Sequence, residues 1–392
     1  MKIGIDASCW GNKRGFGRFI RELLGALLEI DNTNEYLFFV DSETTDVDDF
    51  PARVKKLVAK TKHSSVKAAA ADGRRSVSDL WAMSREVLRH KVDVFFFPAV
   101  YSYFPIFNRT KILLTIHDVI ADHNPEMVFP NARSKFFWKL KQNVAIRQAD
   151  LIATVSQHSK KEIVDYFHLP ESRLRIISEA ARPSFKVLPT NNGYVSALER
   201  YGLASGERFL LYVGGISPHK NIGRLIDAFK QLHDFEPDNS LKLVLVGDYK
   251  DDPFFSAYPQ LRSQVSDMQL NERVIFTGFI PDADLAYLYN AATLLVFPSL
   301  EEGFGLPAIE AMACGTPVAA SSTGSLPEIL GSAGRYFDPL KAEDISHVIR
   351  EILSDDSHRA KMRADGLARS AGFRWKRGAE DTLAIFEELG GN

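Results

Sequence analysis

The chain has 392 residues, room for two ordinary domains, with 45% hydrophobic and 25% charged residues, the mix of a globular protein. A formal net charge of −2 argues against a general polyanion binder, so no nucleic-acid partner is expected. Only two cysteines occur, Cys9 and Cys314, far apart, which fits a reducing cytosol rather than a disulfide framework.

The N-terminal "MKIGIDAS" runs straight into a strand-like pattern and lacks the basic-then-apolar form of a signal peptide. No apolar run approaches the ~18 residues of a membrane span, so any membrane contact is expected to be peripheral. Short β-branched or aromatic runs then alternate with longer amphipathic ones. Strands are predicted at Lys2–Ala7, Tyr36–Val40, Val92–Phe97, Ile112–His117, Leu151–Val155 and Leu174–Ile177. Helices are predicted at Gly17–Glu29, Val77–Arg89, Ala132–Gln148 and Gln157–Phe167. The stretch 51–75 is basic and poor in large apolar residues, and reads as irregular. The stretch 181–195, with two prolines and an Asn-Asn-Gly turn, reads as a linker.

A second alternation follows. Strands are predicted at Phe209–Val213, Leu241–Val246, Val274–Thr277, Leu294–Phe297 and Val318–Ala320. Helices are predicted at Ile222–Leu232, Phe254–Met268, Asp282–Ala291, Pro307–Cys314 and Ala342–Leu353. Continuous apolar strands imply parallel sheets covered on both faces. The expected architecture is α/β, with two Rossmann-like domains, 1–183 and 184–373, facing across a cleft. A last amphipathic helix, 374–392, is expected to pack back on the N-terminal domain. Open parallel sheets bind ligands beyond the carboxyl ends of their strands, so two such edges would enclose a two-substrate site.

The stretch 301–318, "EEGFGLPAIEAMACGTPV", holds two glutamates eight positions apart, Glu302 and Glu310. Gly303 and Gly305 permit unusual backbone angles and close ligand approach. Pro307 suits the first turn of a helix and Gly315 its stop. The amides near Gly305 and Leu306 would then leave a helix N-terminus, a ready phosphate site. Glu310, about one turn in, is better suited to accept hydrogen bonds from a vicinal diol such as a ribose.

"EEGFGLPAIEAMACGTPVAAS" resembles the signature of retaining glycosyltransferases of family 4, which have the two-domain GT-B fold. "YVGGISPHKN", "GDYKDD", "VIFTGFIPDADLAYLYNAATLLVFPS" and "GSLPEILGSAGRYFDP" resemble the same family in order and spacing, and "GIDAS…GFGRFIREL" resembles its acceptor-side domain. The resemblance implies that Glu302 contacts donor-sugar hydroxyls and Glu310 the ribose. It implies that amides around Phe304, Gly305 and Leu306 contact sugar and diphosphate, that Phe279 lies near the base, and that Lys220 neutralises the diphosphate. The family's usual Arg after the first strand of this half is missing, with Gly214 and Gly215 in its place. His219, Arg18 or another residue would have to supply its contact.

In "LLTIHDVI", His117 falls at a strand's carboxyl end. The resemblance puts it beside donor sugar and acceptor, where it would position reacting groups and polarise the acceptor hydroxyl, with Asp118 as its orienting partner. Gly15 and Gly17 in "WGNKRGFGRF" open a helix that can approach phosphate or sugar, and Arg18 is a candidate phosphate or acceptor contact. "DVDD" (46–49) and "PDAD" (281–284) contain Asp-x-Asp, yet neither reads as a cation site, and Asp282 reads as a helix N-cap. No metal and no cofactor are expected beyond the nucleotide diphosphate sugar as donor substrate.

The segment 131–148 carries five basic residues, three aromatics and no acid. It is either a solvated basic helix or a docking face for anionic headgroups or a lipid-linked acceptor. The resemblance implies a retaining transferase that builds a surface glycan in the cytosol, at the inner membrane face if the acceptor is lipid-linked. GDP-mannose is the first choice of donor, because "GFGRF" with "GGISPHKN" resembles the mannosyl and rhamnosyl branch. A sugar-nucleotide epimerase, a phosphorylase and a non-catalytic scaffold on the same fold are the alternatives.

Overall fold

The computed structural model describes all residues except 13–14, 45–49, 64–75, 130, 191, 236–239, 250–255 and 392. The chain divides into two compact units, Met1–Glu179 with Arg374–Asn392, and Ala180–Phe373. The first runs β1 (Lys2–Asp6), α1 (Gly15–Ile30), β2 (Glu35–Val40), β3 (Lys55–Val58), α2 (Val77–Arg89), β4 (Val94–Phe97), β5 (Lys111–Thr115), α3 (Ala132–Gln148), β6 (Leu151–Thr154), α4 (Gln157–Phe167) and β7 (Leu174–Ile176). The second runs α5 (Asn192–Arg200), β8 (Phe209–Val213), α6 (Ile222–Phe235), β9 (Lys242–Val246), α7 (Tyr258–Asp267), β10 (Val274–Gly278), α8 (Asp282–Ala291), β11 (Leu294–Phe297), α9 (Leu306–Ala313), β12 (Val318–Ser321), β13 (Arg335–Phe337), α10 (Ala342–Ser354) and α11 (Asp356–Ser370). The final helix, α12 (Trp375–Gly390), belongs to the first unit.

Both sheets are parallel, with strand orders β3-β2-β1-β4-β5-β6-β7 and β10-β9-β8-β11-β12-β13. Central strands such as β4 and β11 are buried along their whole length, as strands covered on both faces must be. The strand order reverses between β1 and β4 in one sheet and between β8 and β11 in the other. Loops leaving the two strands at such a point go to opposite faces and leave a crevice at the carboxyl edge.

The final helix is seated by close contacts rather than by bulk. It packs along α1. Phe386 sits edge-on to Phe96 at 5.8 Å. The Arg175 guanidinium grips both Glu388 carboxylate oxygens, from Nε at 2.9 Å and from Nη2. At Gly378 a Cβ would lie 2.4 Å from the Ser178 carbonyl oxygen, so only glycine lets the helix approach the chain there.

Two loop readings are corrected. Within 51–75, residues 55–58 form β3, paired parallel to β2. One inward apolar residue, Leu57, suffices at a sheet edge, and the flanking lysines protect that edge from further pairing; residues 64–75 lie outside the described ones. Within 181–195, α5 begins at Asn192 and buries Ala197 and Leu198. The residues before it are anchored too: Phe185 packs edge-on to Tyr289 at 5.5 Å, and the Leu188 amide donates to Asn290 Oδ1 at 2.9 Å.

Gly378→Ala is expected to cost ~2 kcal/mol, because an overpacked contact forces backbone movement, and to lower the melting temperature by roughly 5 °C. An unchanged melt would show that the seat of α12 is not tight.

Candidate functional site

The loop after β8 is shaped by close approaches. A Cβ on Gly214 would lie 2.6 Å from the Tyr212 hydroxyl, and one on Gly247 would lie 2.2 Å from the Gly214 carbonyl oxygen. Tyr212 donates to the Gly215 carbonyl at 2.7 Å. An arginine at 214 would therefore have to displace Tyr212, which accounts for its absence; Gly215 has more room, with nothing nearer than 3.9 Å. The loop ends in a single tight turn, Pro218–Lys220. Asn221 follows in the left-handed region, with φ 57°, and its side-chain amide donates to the carbonyls of Pro298 and Pro339 at 3.1 and 2.7 Å.

The loop after β11 is strapped on both sides. On one side the Leu300 amide donates to the His219 carbonyl at 2.9 Å. On the other, the Ser325 amide donates to the Glu302 carbonyl at 3.2 Å, and the Ser325 hydroxyl to the Phe304 carbonyl at 3.0 Å. Phe304 is buried, edge-on to Phe373 at 5.7 Å. Gly305, with φ 98°, caps α9, and a Cβ there would lie 2.7 Å from Leu326 Cδ2. Leu306 is the first residue of α9, where an amide has no acceptor one turn back; Pro307 carries no amide hydrogen, and the Ala308 amide donates to the Gly305 carbonyl at 3.0 Å.

These two loops bring Lys220 and Glu302 together at the switch point of the second sheet. Lys220 Nζ lies 2.7 Å from Glu302 Oε1, with both side chains largely buried. Burial, and then the Glu302 charge, hold the Tyr212 phenol well above its ordinary range. Burial, and then the Lys220 charge, push the His219 imidazole down to about 3. His219 is thus neutral at physiological pH and does not replace the missing arginine as a cation. Its Nδ1 lies 3.3 Å from the Ser217 hydroxyl.

Glu310 sits deeper than the sequence reading implies. It is 0% exposed, and its Oε2 accepts from the Tyr289 hydroxyl at 3.0 Å. The cause is α9 itself: Ala308, Ile309, Ala311 and Met312 are buried as well, so the helix is embedded on every side. A ribose can reach this carboxylate only if the side chain or its cover moves. Burial, and then the Glu310 charge, push the Cys314 thiol up to about 12, which leaves it unreactive. Phe279 is not a core residue: it is 49% exposed, directly after β10.

In the first unit, the loop after β1 meets the start of α1. A Cβ on Gly17 would fall 1.8 Å from the Asn12 carbonyl oxygen, so glycine is required there. Gly15 is exposed, with nothing within 4 Å of its Cβ position. Arg18 is half-buried on α1. Arg21, one turn on, donates to the carbonyls of Trp10 and Asn12, the latter at 3.0 Å, and ties the loop to the helix.

His117 lies just past β5, with its ring edge-on to Phe19 at 4.7 Å and beside Phe16 at 5.2 Å. Its Nε2 is 3.0 Å from the Pro98 carbonyl, which can only accept, so Nε2 carries a proton. Its Nδ1 faces Glu179 Oε1 at 3.7 Å. Glu179 thus presents a carboxylate to the ring, and Asp118 accepts the Ile120 amide at 3.1 Å. To polarise a hydroxyl, the ring must exchange Pro98 for substrate.

Asp282 is not an N-cap: Pro281 occupies that position, and the Asp282 carboxylate pairs with Arg182. Asp284 pairs with Arg200 at 2.7 Å and accepts from Tyr201 at 2.9 Å. Both acids of "PDAD" are thus already matched; "DVDD" lies outside the described residues. On α3, Trp138, Gln142, Ala145 and Ile146 face inward, and Trp138 and Gln142 donate to Asp122 at 3.1 and 2.9 Å. Phe136, Phe137 and Leu140 face out, 63%, 53% and 50% exposed, with the Arg133 guanidinium 5.7 Å from the Phe137 ring centroid. Among the described residues, no helix is long and apolar enough to cross a membrane.

Two doubly wound parallel sheets, one in each unit, are the architecture of GT-B glycosyltransferases. The family model for glycosyl transferases group 1 matches residues 197–369, and that for glycosyltransferase family 4 matches residues 14–183. The chain belongs to glycosyltransferase family 4 and is a glycosyltransferase. It is 35% identical to the O-antigen chain mannosyltransferase B of Escherichia coli, over 71% of each chain. It is 33% identical to the serotype-specific mannosyltransferase WbdA of Escherichia coli, over 71% of this chain but only 34% of that longer protein. Among solved structures, sucrose-phosphate synthase from Thermosynechococcus elongatus has the same fold, with a TM-score of 0.76, 21% identity, and coverage of 100% of this chain and 99% of that one.

Because the folded protein holds His219 neutral while the unfolded imidazole titrates normally, the stability this confers is present above the ordinary histidine range and is lost as pH falls through it toward about 3. In a histidine NMR titration from pH 8 to 5, the His219 ring resonances should stay put. A midpoint near the ordinary value of 6.5 would contradict the burial of this ring.

Proposed function

We propose that this protein transfers a mannosyl group from GDP-mannose to a hydroxyl of a growing surface polysaccharide or its lipid-linked precursor, retaining the anomeric configuration and needing no metal. The observation that carries the reading is Lys220, held beside Glu302 next to the N-terminus of α9 over the switch point of the second sheet. A leaving nucleoside diphosphate gathers negative charge on its β-phosphate oxygen. A fixed ammonium and a helix N-terminus stabilise that charge without a divalent ion. The choice of mannose and of a surface glycan is supported by what the two Escherichia coli relatives are named for.

In the step we propose, the acceptor oxygen attacks the anomeric carbon from the face that the diphosphate leaves. The bond from that carbon to the phosphate oxygen breaks, its electron pair stays on phosphate, and the acceptor proton passes to that oxygen. Glu302, tied to Lys220, is a poor covalent nucleophile and serves as an acceptor for sugar hydroxyls. The amides of Gly305 and Leu306 receive phosphate, with Phe304 fixing their loop. Gly215 borders the diphosphate, Phe279 faces the base, and Glu310 takes the ribose once unburied. In the first unit, Gly15, Gly17 and Arg18 border the acceptor, and His117 orients its hydroxyl.

We further propose that α3 docks on anionic membrane at the inner face of the cell membrane. Exposed Phe136, Phe137 and Leu140 share one face at helical spacing with Arg133, the pattern of an interfacial helix. The wild type should sediment with phosphatidylglycerol vesicles at low salt and lose most of that binding on Phe136→Ser with Phe137→Ser. Equal sedimentation of both would overturn the docking.

A thermal-shift screen of GDP-, UDP-, dTDP- and ADP-sugars should single out GDP-mannose, since selective binding stabilises the folded state. Transfer by the wild type should survive EDTA and give the retained anomer by NMR. Lys220→Met should lower kcat by roughly 10²–10³ while the fold persists, as loss of one charge-stabilising donor does. An inverted product, or turnover that depends on added Mg²⁺ or inorganic phosphate, would overturn the mechanism.

A further inference from the structure

Lys220 and Glu302 are already paired at 2.7 Å, with only 17% and 11% of their side chains exposed. We infer that this pair is an exchange device that makes the site favour an intact nucleotide sugar over the nucleoside diphosphate left after transfer, an inference that rests on the donor reading above.

A diphosphate entering beside α9 draws the Lys220 ammonium toward phosphate. Glu302, only 11% exposed, is carried on a backbone that is held in place. Its backbone carbonyl is held by the Ser325 amide at 3.2 Å, and its amide nitrogen lies 2.9 Å from the Cβ position of Gly324, which has φ +65°. Nearby polar groups offer little in exchange. The Tyr212 hydroxyl already donates to the Gly215 carbonyl, and the His219 imidazole is neutral.

A largely buried carboxylate that loses its counter-ion is costly unless other donors replace it. A sugar on the diphosphate brings hydroxyl donors, so the intact donor satisfies both members of the pair. A bare diphosphate satisfies Lys220 alone, and its own charge faces the orphaned Glu302. Once the glycosyl group has left, Glu302 competes to recover Lys220 and works against retention of the product. Glu302 is thus a specificity-determining residue that also clears the site, and neither task requires it to move a proton.

Isothermal titration of the full chain with GDP, GDP-mannose, UDP and UDP-glucose tests this. In the wild type, the sugar conjugate of the selected nucleotide should bind more tightly than the nucleotide alone. Glu302→Gln keeps the shape and removes the charge. It should tighten binding of the bare nucleotide by roughly tenfold, a typical coupling between two linked sites, and tighten the sugar conjugate less or weaken it. Steady-state turnover should then slow more than the single-turnover rate, because release becomes limiting. An equal change in both affinities would overturn the exchange while leaving the donor reading intact. Tighter binding of bare nucleotide than of its sugar conjugate by the wild type would overturn it without any variant. Failure of all four nucleotides to bind the wild type would instead overturn the donor reading, and the exchange with it.

Discussion

An ammonium and a carboxylate held 2.7 Å apart over the ends of two neighbouring strands constrain everything built around them. Two such groups can be kept largely out of water only if the backbones that carry them are fixed. The second unit meets that demand with glycines and short hydrogen bonds rather than with bulk. Gly214 and Gly247 let the loop after β8 lie close against Tyr212 and its neighbouring strand. Gly305 lets the loop after β11 turn abruptly into α9. The Leu300 amide on His219 and the Ser325 contacts then clamp one loop between the other two. A site assembled this way is preorganised before any ligand arrives, which is the condition for electrostatic stabilisation of a developing charge.

The first unit solves a parallel problem with different chemistry. His117 is fixed by a carbonyl, a carboxylate and two aromatic rings rather than by a cation. Glu179, its carboxylate partner, is the last residue of the N-terminal segment of this unit. The preceding residue, Ser178, receives α12 at Gly378. The seat of the final helix and the orientation of the histidine are therefore one residue apart in the chain. A disturbance at Gly378 has a short path to the imidazole, through the Ser178 backbone and the Glu179 side chain.

Much of this was legible in the sequence because the strands are uniformly apolar and the long helices amphipathic; β8, β11, α2, α3, α4 and α8 match their predicted bounds. The misses have physical causes. β3 and β13 are too short, and too polar at their edges, to show a period. α11 buries only Met362, Gly366 and Ser370, so its pattern is nearly all solvent-facing, and its clearest signal was Asp355 as N-cap. At the site, residue types in short motifs exposed Lys220 and Glu302, yet nothing in the spacing tells that they touch, because they come from different loops. Tyr289 and Glu179 were missed for the same reason, since each acts across the fold on a partner remote in sequence, while Tyr212 and Arg21 bind backbone carbonyls of nearby loops, which no residue pattern marks. The burial of Glu310 was not legible, because an apolar helix with one acid reads as amphipathic when its neighbours are unknown.

Glu302 and Glu310 of "EEGFGLPAIE" now divide by burial rather than by ligand. Glu302, in the loop, is matched by the Lys220 ammonium, which a phosphate can attract. Glu310, in the helix, is matched by a phenol that a phosphate has no reason to take. The first partnership is open to direct exchange, whereas the second can yield to a ribose only after the embedded carboxylate is uncovered. The seven residues between them carry the turn that separates these two regimes. Gly305 lies at the boundary, where the backbone passes from a loop that can rearrange its charges to a helix that cannot. If the donor's ribose does reach Glu310, the cost falls on the packing of Tyr289 against Phe185, and so on the start of the second unit itself.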